Sequence, residues 1–474
     1  MSQILRTKWV TQNQEEYIYS NLYDLNEDSL DVLILGNSQA VYGFSPVEMY
    51  DYAGISAYSL GGSRATLMSN YYWMLETCKT KDLSLVILDV SGLLERFQEN
   101  YERERIDLMH FSRNKIDNIL AMDGLVEDSL LSYFIPVLKY HTRWSKLEAV
   151  DFGYGLNSDL AYRGQDLEDY CKKGLNYNRM IIDDSDPEEN LREMYDYQLE
   201  YFDKIYTYCQ ENDIELLLVK TPKYSWIGSD SAQVQALADK YGLTYLDFNW
   251  ESMLNAIGYD IETDMKDADH LNVRGAEKLS DWLSDYLREN YELPDRRQDL
   301  DYDLQINRNL YETERTNAYL TTTTDPAERL ALLKKHTACD IFLSTYGDTA
   351  GLVSDELAAL LADLGLETDL NELEEGYGFV AWLTNDGTSV EEKTAENDVS
   401  ISGTLDNGVA YDIASRNRGE GEQMARLSIG GEDQSVDTRG LNITVYDQEQ
   451  DLVIETVCID LETGEMTCVT REDP

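Results

Sequence analysis

The stretch DVLILGNSQA, residues 31–40, decides how this chain is read. Val32 to Leu35 are continuously apolar, as expected of a strand whose two faces are both covered. Gly36 permits a tight turn, and the polar residues after it open a short helix. The same texture recurs in ISAYSL (55–60), LSLVILDV (83–90), IELLLVK (214–220) and LTYLDF (243–248), with helical patterns such as 66–79 and 190–212 between them. Alternation of five such strands with helices predicts an α/β unit, a three-layer, doubly wound five-stranded parallel sheet. Ligands of such sheets bind beyond the C-terminal strand ends.

The chain has 474 residues, enough for two or three domains. Its 39 Lys+Arg against 91 Asp+Glu give a net charge of −52, spread over both halves of the chain. An apolar fraction of 42% with 34 Tyr supports folded cores, so the acidity is not that of a disordered chain. A surface this negative repels phosphate, which excludes nucleic acid as a partner and disfavours anionic lipid. No run of about 18 apolar residues is present, and the N-terminal residues lack a signal-peptide core. The six Cys include no CxxC. Cys458 and Cys468 flank a turn at Thr463-Gly464 and read either as a cross-hairpin disulfide or as two ordinary strand cysteines. The four His are His110, His141, His270 and His336, so histidine chemistry has few candidates.

Residues 1–290 form the alternating unit. Residues 95–187, rich in Tyr and charge, read as a mostly helical insertion, either a lid or substrate platform or a part that only packs. Residues 291–326 read as a linker with one exposed helix. Asp299, Asp301 and Asp303 alternate there like a calcium loop, but Leu304 and Leu310 stand where Gly and Glu are needed. Residues 327–474 form a smaller β-rich α+β domain, with strands predicted at 339–346, 379–383, 425–429, 441–447 and 452–460. A helix is expected over 354–364, and a loop-rich segment over 391–422.

Ser38 falls at the C-terminal end of the first strand, either as a nucleophile or as a helix N-cap. A serine nucleophile needs a general base, and that base needs an acceptor to fix its tautomer. DADHLN (267–272) supplies both just before an amphipathic helix over 273–289: His270 as base, with Asp267 or Asp269 as acceptor. Adjacent side chains usually point apart, which favours Asp267. Three further features are candidates for contacts in the crevice, the one at the end of the fourth strand read either so or as an ordinary strand terminus. Arg64 follows a Gly pair and suits an anionic group. Lys223 and Tyr224 end the fourth strand behind Pro222, with Lys220 counted among the crevice cations. His141, Arg143 and Trp144 combine a donor, a cation and an aromatic face that suit a sugar; the alternative is a solvated helix face.

GNSQA at 36–40 and Asp267-x-x-His270 together resemble the first and last blocks of the SGNH (GDSL-like) hydrolase superfamily, over roughly residues 20–290. The resemblance implies an SGNH/flavodoxin-like fold, with Ser38 as nucleophile, His270 as base and Asp267 as its orienter. The second block maps onto SLGGS (59–63). It implies an oxyanion hole from the N–H groups of Ser38 and Gly61, with Gly62 the alternative. The segments DVLILGNSQAVYGFSP and KDLSLVILDVSGL are similar to the cell-envelope branch with DltD-like and alginate-acetylation-like members. Asn37 replaces the Asp of GDS. The third block, GxND, has no match; Asp89-Val90-Ser91-Gly92 stands in its place, leaving the third oxyanion donor unassigned. The resemblance also implies an extracytoplasmic, bacterial, cell-surface location, with membrane association through an anchor that this chain does not carry.

The segments CDIFLSTYGDTAGLVSDELAALLADLGL, YGFVAWLTNDG and ARLSIGGEDQSVDTRGLNITVYD resemble an ILEI-type (interleukin-like EMT inducer) domain over about 330–465. That implies a carbohydrate-recognition module, with Tyr346, Tyr377 and Trp382 as stacking candidates. The expected function is acyl transfer, as an esterase or O-acetyltransferase, on a glycan or acylated polysaccharide, with no metal or organic cofactor. The alternative is a catalytically inactive SGNH-fold protein that binds glycan or assists envelope assembly.

Overall fold

The computed structural model describes residues 18–20, 22–25, 29–147, 182–183, 192–297, 315–316, 319–320, 323–334, 339–384, 389–395, 398–417, 423–448 and 451–468. The chain divides into two compact units, Met1–Tyr311 and Glu312–Pro474. Residues 298–314, and with them the Asp299–Asp303 alternation, lie outside the described residues. The segment before them is no free linker. Tyr291 and Leu293 pack on the core of the first unit, and the Arg296 guanidinium meets the buried Asp31 carboxylate at 2.7 and 2.8 Å.

The first unit is built on β1 (Val32–Leu35), β2 (Ala57–Leu60), β3 (Leu85–Asp89), β4 (Glu215–Lys220) and β5 (Thr244–Asp247). They form one all-parallel sheet in the order β2-β1-β3-β4-β5. The main helices are α1 (Ser38–Gly43), α2 (Pro46–Ala53), α3 (Leu67–Thr77), α4 (Glu99–Leu108), α5 (Arg113–Ala121), α6 (Asp196–Glu211), α7 (Gly228–Tyr241) and α8 (Val273–Asn290). Leu33, Leu35, Val86, Leu88 and Leu218 face one side, against Trp73 of α3, Phe202 of α6 and Val234 of α7. Val32, Ile34, Ile87, Leu217 and Val219 face the other, against Met49 of α2 and Leu279 and Leu283 of α8. Burial on both faces explains the unbroken apolar runs. The strand order reverses between β1 and β3, so the crevice of this doubly wound sheet opens where β1 ends, at Ser38.

The described part of the insertion comprises α4, α5, two short helical turns (Leu131–Phe134 and Val137–Tyr140) and a 3-10 stretch, His141–Lys146. Residues 148–181 lie outside the described residues. Its first helix packs rather than hovers. Arg105, 1% exposed, donates from Nη1 to Ser63 O at 2.9 Å and pairs with the fully buried Glu102 at 3.0 Å. Glu102 in turn accepts from the Thr66 N–H. A buried cation and anion from α4 therefore hold the Gly61–Thr66 loop in place.

The second unit contains β6 (Cys339–Tyr346), β7 (Gly378–Leu383), β8 (Ser389–Thr394), β9 (Val399–Thr404), β10 (Ala410–Arg416), β11 (Met424–Ile429), β12 (Glu432–Asp433), β13 (Gly440–Asp447), β14 (Leu452–Ile459) and β15 (Met466–Cys468). These strands form a six-stranded sheet, β15-β14-β13-β6-β7-β8, and a four-stranded sheet, β12-β11-β10-β9, both antiparallel. Phe342, Val380 and Tyr446 face Ile413, Leu427 and Ile429 across the sandwich. Leu343, Ile443 and Val445 on the opposite face pack against α9 (Pro326–Leu333) and α10 (Asp355–Asp363).

The described residues of 391–422 are mostly strand rather than loop: they hold most of β8, with β9 and β10. Val399 and Ile401, and Tyr411, Ile413 and Ser415, are buried alternately with exposed or half-buried neighbours. Only every second residue of such a strand needs to be apolar, and the Gly and Asn that suggested loop belong partly to the turn at Asp406–Gly408. The disulfide reading is also corrected. Cys458 is a free thiol, buried against the carbonyls of Thr438 and Arg439, and stands opposite Thr467 rather than Cys468. Among the described residues no helix is long and apolar enough to cross a membrane.

Replacing Arg105 by Met leaves the buried Glu102 carboxylate unpaired. The expected loss in unfolding free energy is roughly 3 kcal/mol, read from the urea transition of the intact chain.

Candidate active site

Ser38 is the first residue of α1, not its cap. Asn37 caps the helix, its Oδ1 accepting from the Gln39 N–H at 3.0 Å. Gly36 is required by packing, since a Cβ there would lie 2.8 Å from both Ala40 Cβ and Asp89 Cβ. Gly61 has a similar role. A Cβ on it would lie 2.7 Å from Val41 N and 2.9 Å from Asn37 O, so the loop after β2 lies directly on the first turn of α1. No described hydrogen bond occupies the N–H of Ser38 or Gly61. Gly62 instead packs beneath Tyr19 and Arg105.

His270 and Asp267 reach Ser38 on the loop before α8. Lys266 N–H donates to His270 O at 3.0 Å, closing the loop, and Asn272 caps α8 by accepting from Gly275 N–H. Asp267 Oδ1 accepts from the N–H groups of Asp269 and His270 at 2.8 and 2.9 Å. Both Asp267 oxygens lie 3.0 Å from His270 Nδ1, and His270 Nε2 lies 2.9 Å from Ser38 Oγ. An ionised carboxylate only accepts, so Nδ1 carries the proton and Nε2 of the neutral ring is left to accept from the Ser38 hydroxyl. Asp269 is not the ring's partner; its side chain accepts from Ser225 Oγ at 3.2 Å. Burial pushes the Asp267 carboxyl up, but the His270 hydrogen bond and charge, with the two backbone N–H groups, outweigh it and hold the group at about 2.

The remaining sequence candidates do not converge on this cluster. Arg64 is paired with Glu95 at 3.0 Å, in a left-handed backbone conformation. His141, Arg143 and Trp144 lie on the insertion, Trp144 72% exposed, and no contact of Ser38, His270 or Asp267 reaches them. Lys223 and Tyr224 approach through the backbone. Tyr224 N–H donates to Ala268 O at 3.0 Å and Lys223 N–H to Asn249 Oδ1 at 2.7 Å, while the Tyr224 ring packs on the core. Lys220 is no crevice cation, because it is completely buried, and burial lowers its ammonium to about 8 against the pull of Asp89.

Residues missed in the sequence line the same site. The Tyr42 ring lies 4.7 Å from that of His270, with Lys266 Nζ 4.4 Å above it. Beneath Ser38, Gln39, Asp89, Lys220, Thr221 and Asn249 form a buried polar network. A lysine closing an otherwise apolar strand was the one signal of it. Asp89, where the third block would stand, accepts from Ser91 N–H at 2.9 Å and faces Lys220 at 3.8 Å, so its ionised form has no hydrogen to offer an oxyanion. Among the described residues no group of three or more His, Cys, Asp or Glu is arranged to hold a metal.

The fold and this cluster define a class: a doubly wound α/β unit with a Ser–His–Asp chain at its switch point. No protein-family model matches the chain, and no curated protein is significantly similar to it. Solved structures similar at low identity include two from Bacteroides. One, from Bacteroides fragilis NCTC 9343 and provisionally assigned as an acylhydrolase, aligns with 60% of this chain and 99% of its own length. It shares 11% identity, with a TM-score of 0.28. The other, a GDSL-like lipase from Bacteroides thetaiotaomicron VPI-5482, aligns with 58% of this chain and 98% of its own at 8% identity and a TM-score of 0.28.

An acid-stability difference follows from the depressed Asp267 carboxyl. The folded chain favours the ionised form, so its contribution is present above about pH 4 and is lost as pH falls toward about 2. The wild-type margin over Asp267→Asn in urea midpoint therefore shrinks across that window; the margin itself is small, because the carboxylate is 36% exposed.

Proposed function

We propose that the first unit is an SGNH-type enzyme that performs serine-dependent acyl transfer, as an esterase or an O-acetyltransferase, on a glycan or cell-envelope polymer. The observation that carries this reading is the unbroken run of contacts from Asp267 through His270 to Ser38, at 3.0 and 2.9 Å. Ser38 Oγ attacks the ester carbonyl while His270 Nε2 takes its proton. The N–H groups of Ser38 and Gly61 receive the developing oxyanion. The imidazolium, held by Asp267, returns the proton to the leaving alcohol, and the acyl group stays on Ser38. Water, or a sugar hydroxyl, then gives its proton to His270 and attacks the acyl-enzyme, releasing acid or a new ester.

The acidic chain, with Lys220 buried and Arg64 paired, favours a neutral acceptor over a polyanion. In the same proposal the second unit is an ILEI-type module that recognises carbohydrate and holds it near the first. Tyr346 and Tyr377 are its half-buried aromatic candidates, while Trp382 stacks with Phe342 and lies beside Tyr411 in the sandwich core. An extracytoplasmic, bacterial location with membrane association belongs to the proposal and rests on resemblance. The second reading is an inactive glycan-binding scaffold, favoured by the acceptor-only Asp89 at the third-block position.

A fluorophosphonate probe separates the two readings. The intact chain should label at Ser38, Ser38→Ala should not, and Asp267→Asn should label about 10³–10⁴-fold more slowly. An unlabelled wild type favours the scaffold. For the second unit, full-length Ser38→Ala on an array of acetylated and deacetylated neutral glycans should bind a subset; a blank array removes the recognition role.

A further inference from the structure

Gln39, the residue after the nucleophile, is 2% exposed and has its side-chain amide committed at both ends. Its Nε2 donates to Asp269 O at 2.6 Å, the carbonyl immediately before His270. Its Oε1 accepts from Lys220 Nζ at 3.0 Å and from Thr221 Oγ1 at 2.9 Å. The two ends independently demand this orientation, because a carbonyl only accepts and an ammonium only donates. Lys220 is held in turn by Thr221 O at 2.7 Å and by the buried Asp89 at 3.8 Å. Asn249 ties the network to the next strand, donating to Thr221 O at 3.0 Å and accepting from Lys223 N–H. Beside it, Ser225 Oγ and Tyr224 N–H donate to the same His270 loop.

We propose that Gln39 is a positioning residue, a clamp that fixes the loop carrying His270 and Asp267 against the turn carrying Ser38, with Lys220 and Thr221 setting the direction of its amide. This rests on the acyl-transfer reading above, because what the clamp sets is the Ser38–His270 distance. Nucleophile and base come from sequence positions 232 apart. The Gln39–Asp269 bond spans 230 positions and ties together the residues adjacent to both. A fully buried lysine whose only close carboxylate stands off at 3.8 Å is costly to keep. As a guard on amide orientation it has a use, since a flipped Gln39 would set its Nε2 against the ammonium and its Oε1 against a carbonyl.

The discriminating variant is Gln39→Glu. It keeps the size and the contacts with Lys220 and Thr221 but loses the hydrogen that Asp269 O accepts. If Gln39 merely fills space, Gln39→Glu behaves as wild type. As a clamp, its loss slows fluorophosphonate labelling of Ser38 by roughly 10–100-fold, as expected of a small misplacement. It also shifts the NMR signal of the His270 Nδ1 proton and speeds hydrogen exchange of the backbone amides at 267–271, with the thermal midpoint changing little. Gln39→Asn, too short to reach Asp269 O, should match it, and stands in for it if Gln39→Glu does not fold. Wild-type labelling and wild-type exchange in either folded variant overturn the clamp. An unlabelled wild type overturns the acyl-transfer reading instead, while exchange at 267–271 still decides whether Gln39 holds the loop.

Discussion

The site depends on one carboxylate. Asp267 accepts from two backbone N–H groups of its own loop and from the ring of His270. The first two bonds bend the loop, and the third sets the tautomer. Because the same oxygen, Oδ1, takes part in all three, bending the loop and aiming the imidazole are one event. A carboxylate surrounded by donors stays ionised even when partly withdrawn from water, and an ionised acceptor is what leaves Nε2 free of a proton. The local spacing of Asp267 and His270 thus carries both geometry and electrostatics.

The other half of the site is held by close packing. Gly36, Gly43 and Gly61 bring α1 against β3, the end of β4 and the loop after β2. Side chains there would meet Asp89, Thr221 and Asn37 at 2.8, 2.4 and 2.9 Å. A side chain such as Ser38 on a six-residue helix has little intrinsic rigidity. These contacts, and Arg105 and Glu102 pinning the next loop, supply what the helix lacks. The insertion therefore contributes to the site's frame through α4, whatever its later residues do.

The five parallel strands were legible because both sheet faces are covered, which writes burial into consecutive residues. β9 and β10 were not, because a half-buried strand shows only alternate apolar residues, and Gly403 lies opposite the Tyr411 ring that packs over it. In the site, the scarcity of histidine and the three-residue step from Asp267 made His270 a visible candidate. The Gln39–Lys220–Asp89 network was not visible, because its contacts join distant positions, 181 apart for Gln39 with Lys220 and 132 for Asp89 with Thr221. No local pattern marks such contacts, and Lys220 read as a crevice cation when it is wholly enclosed.

The place where the third block would stand decides how much the remaining parts must do. A buried Asp there accepts from Ser91 N–H and sits beside Lys220, so it is built into the floor of the site rather than aimed at a reacting oxygen. On the acyl-transfer reading two backbone donors serve the oxyanion. One donor more or fewer is worth about 3–4 kcal/mol of barrier, which better alignment of nucleophile and base can offset only if both are held firmly. On that reading Asp89, rather than meeting the oxyanion, faces the lysine that bonds Gln39, and so bears on the distance between Ser38 and His270.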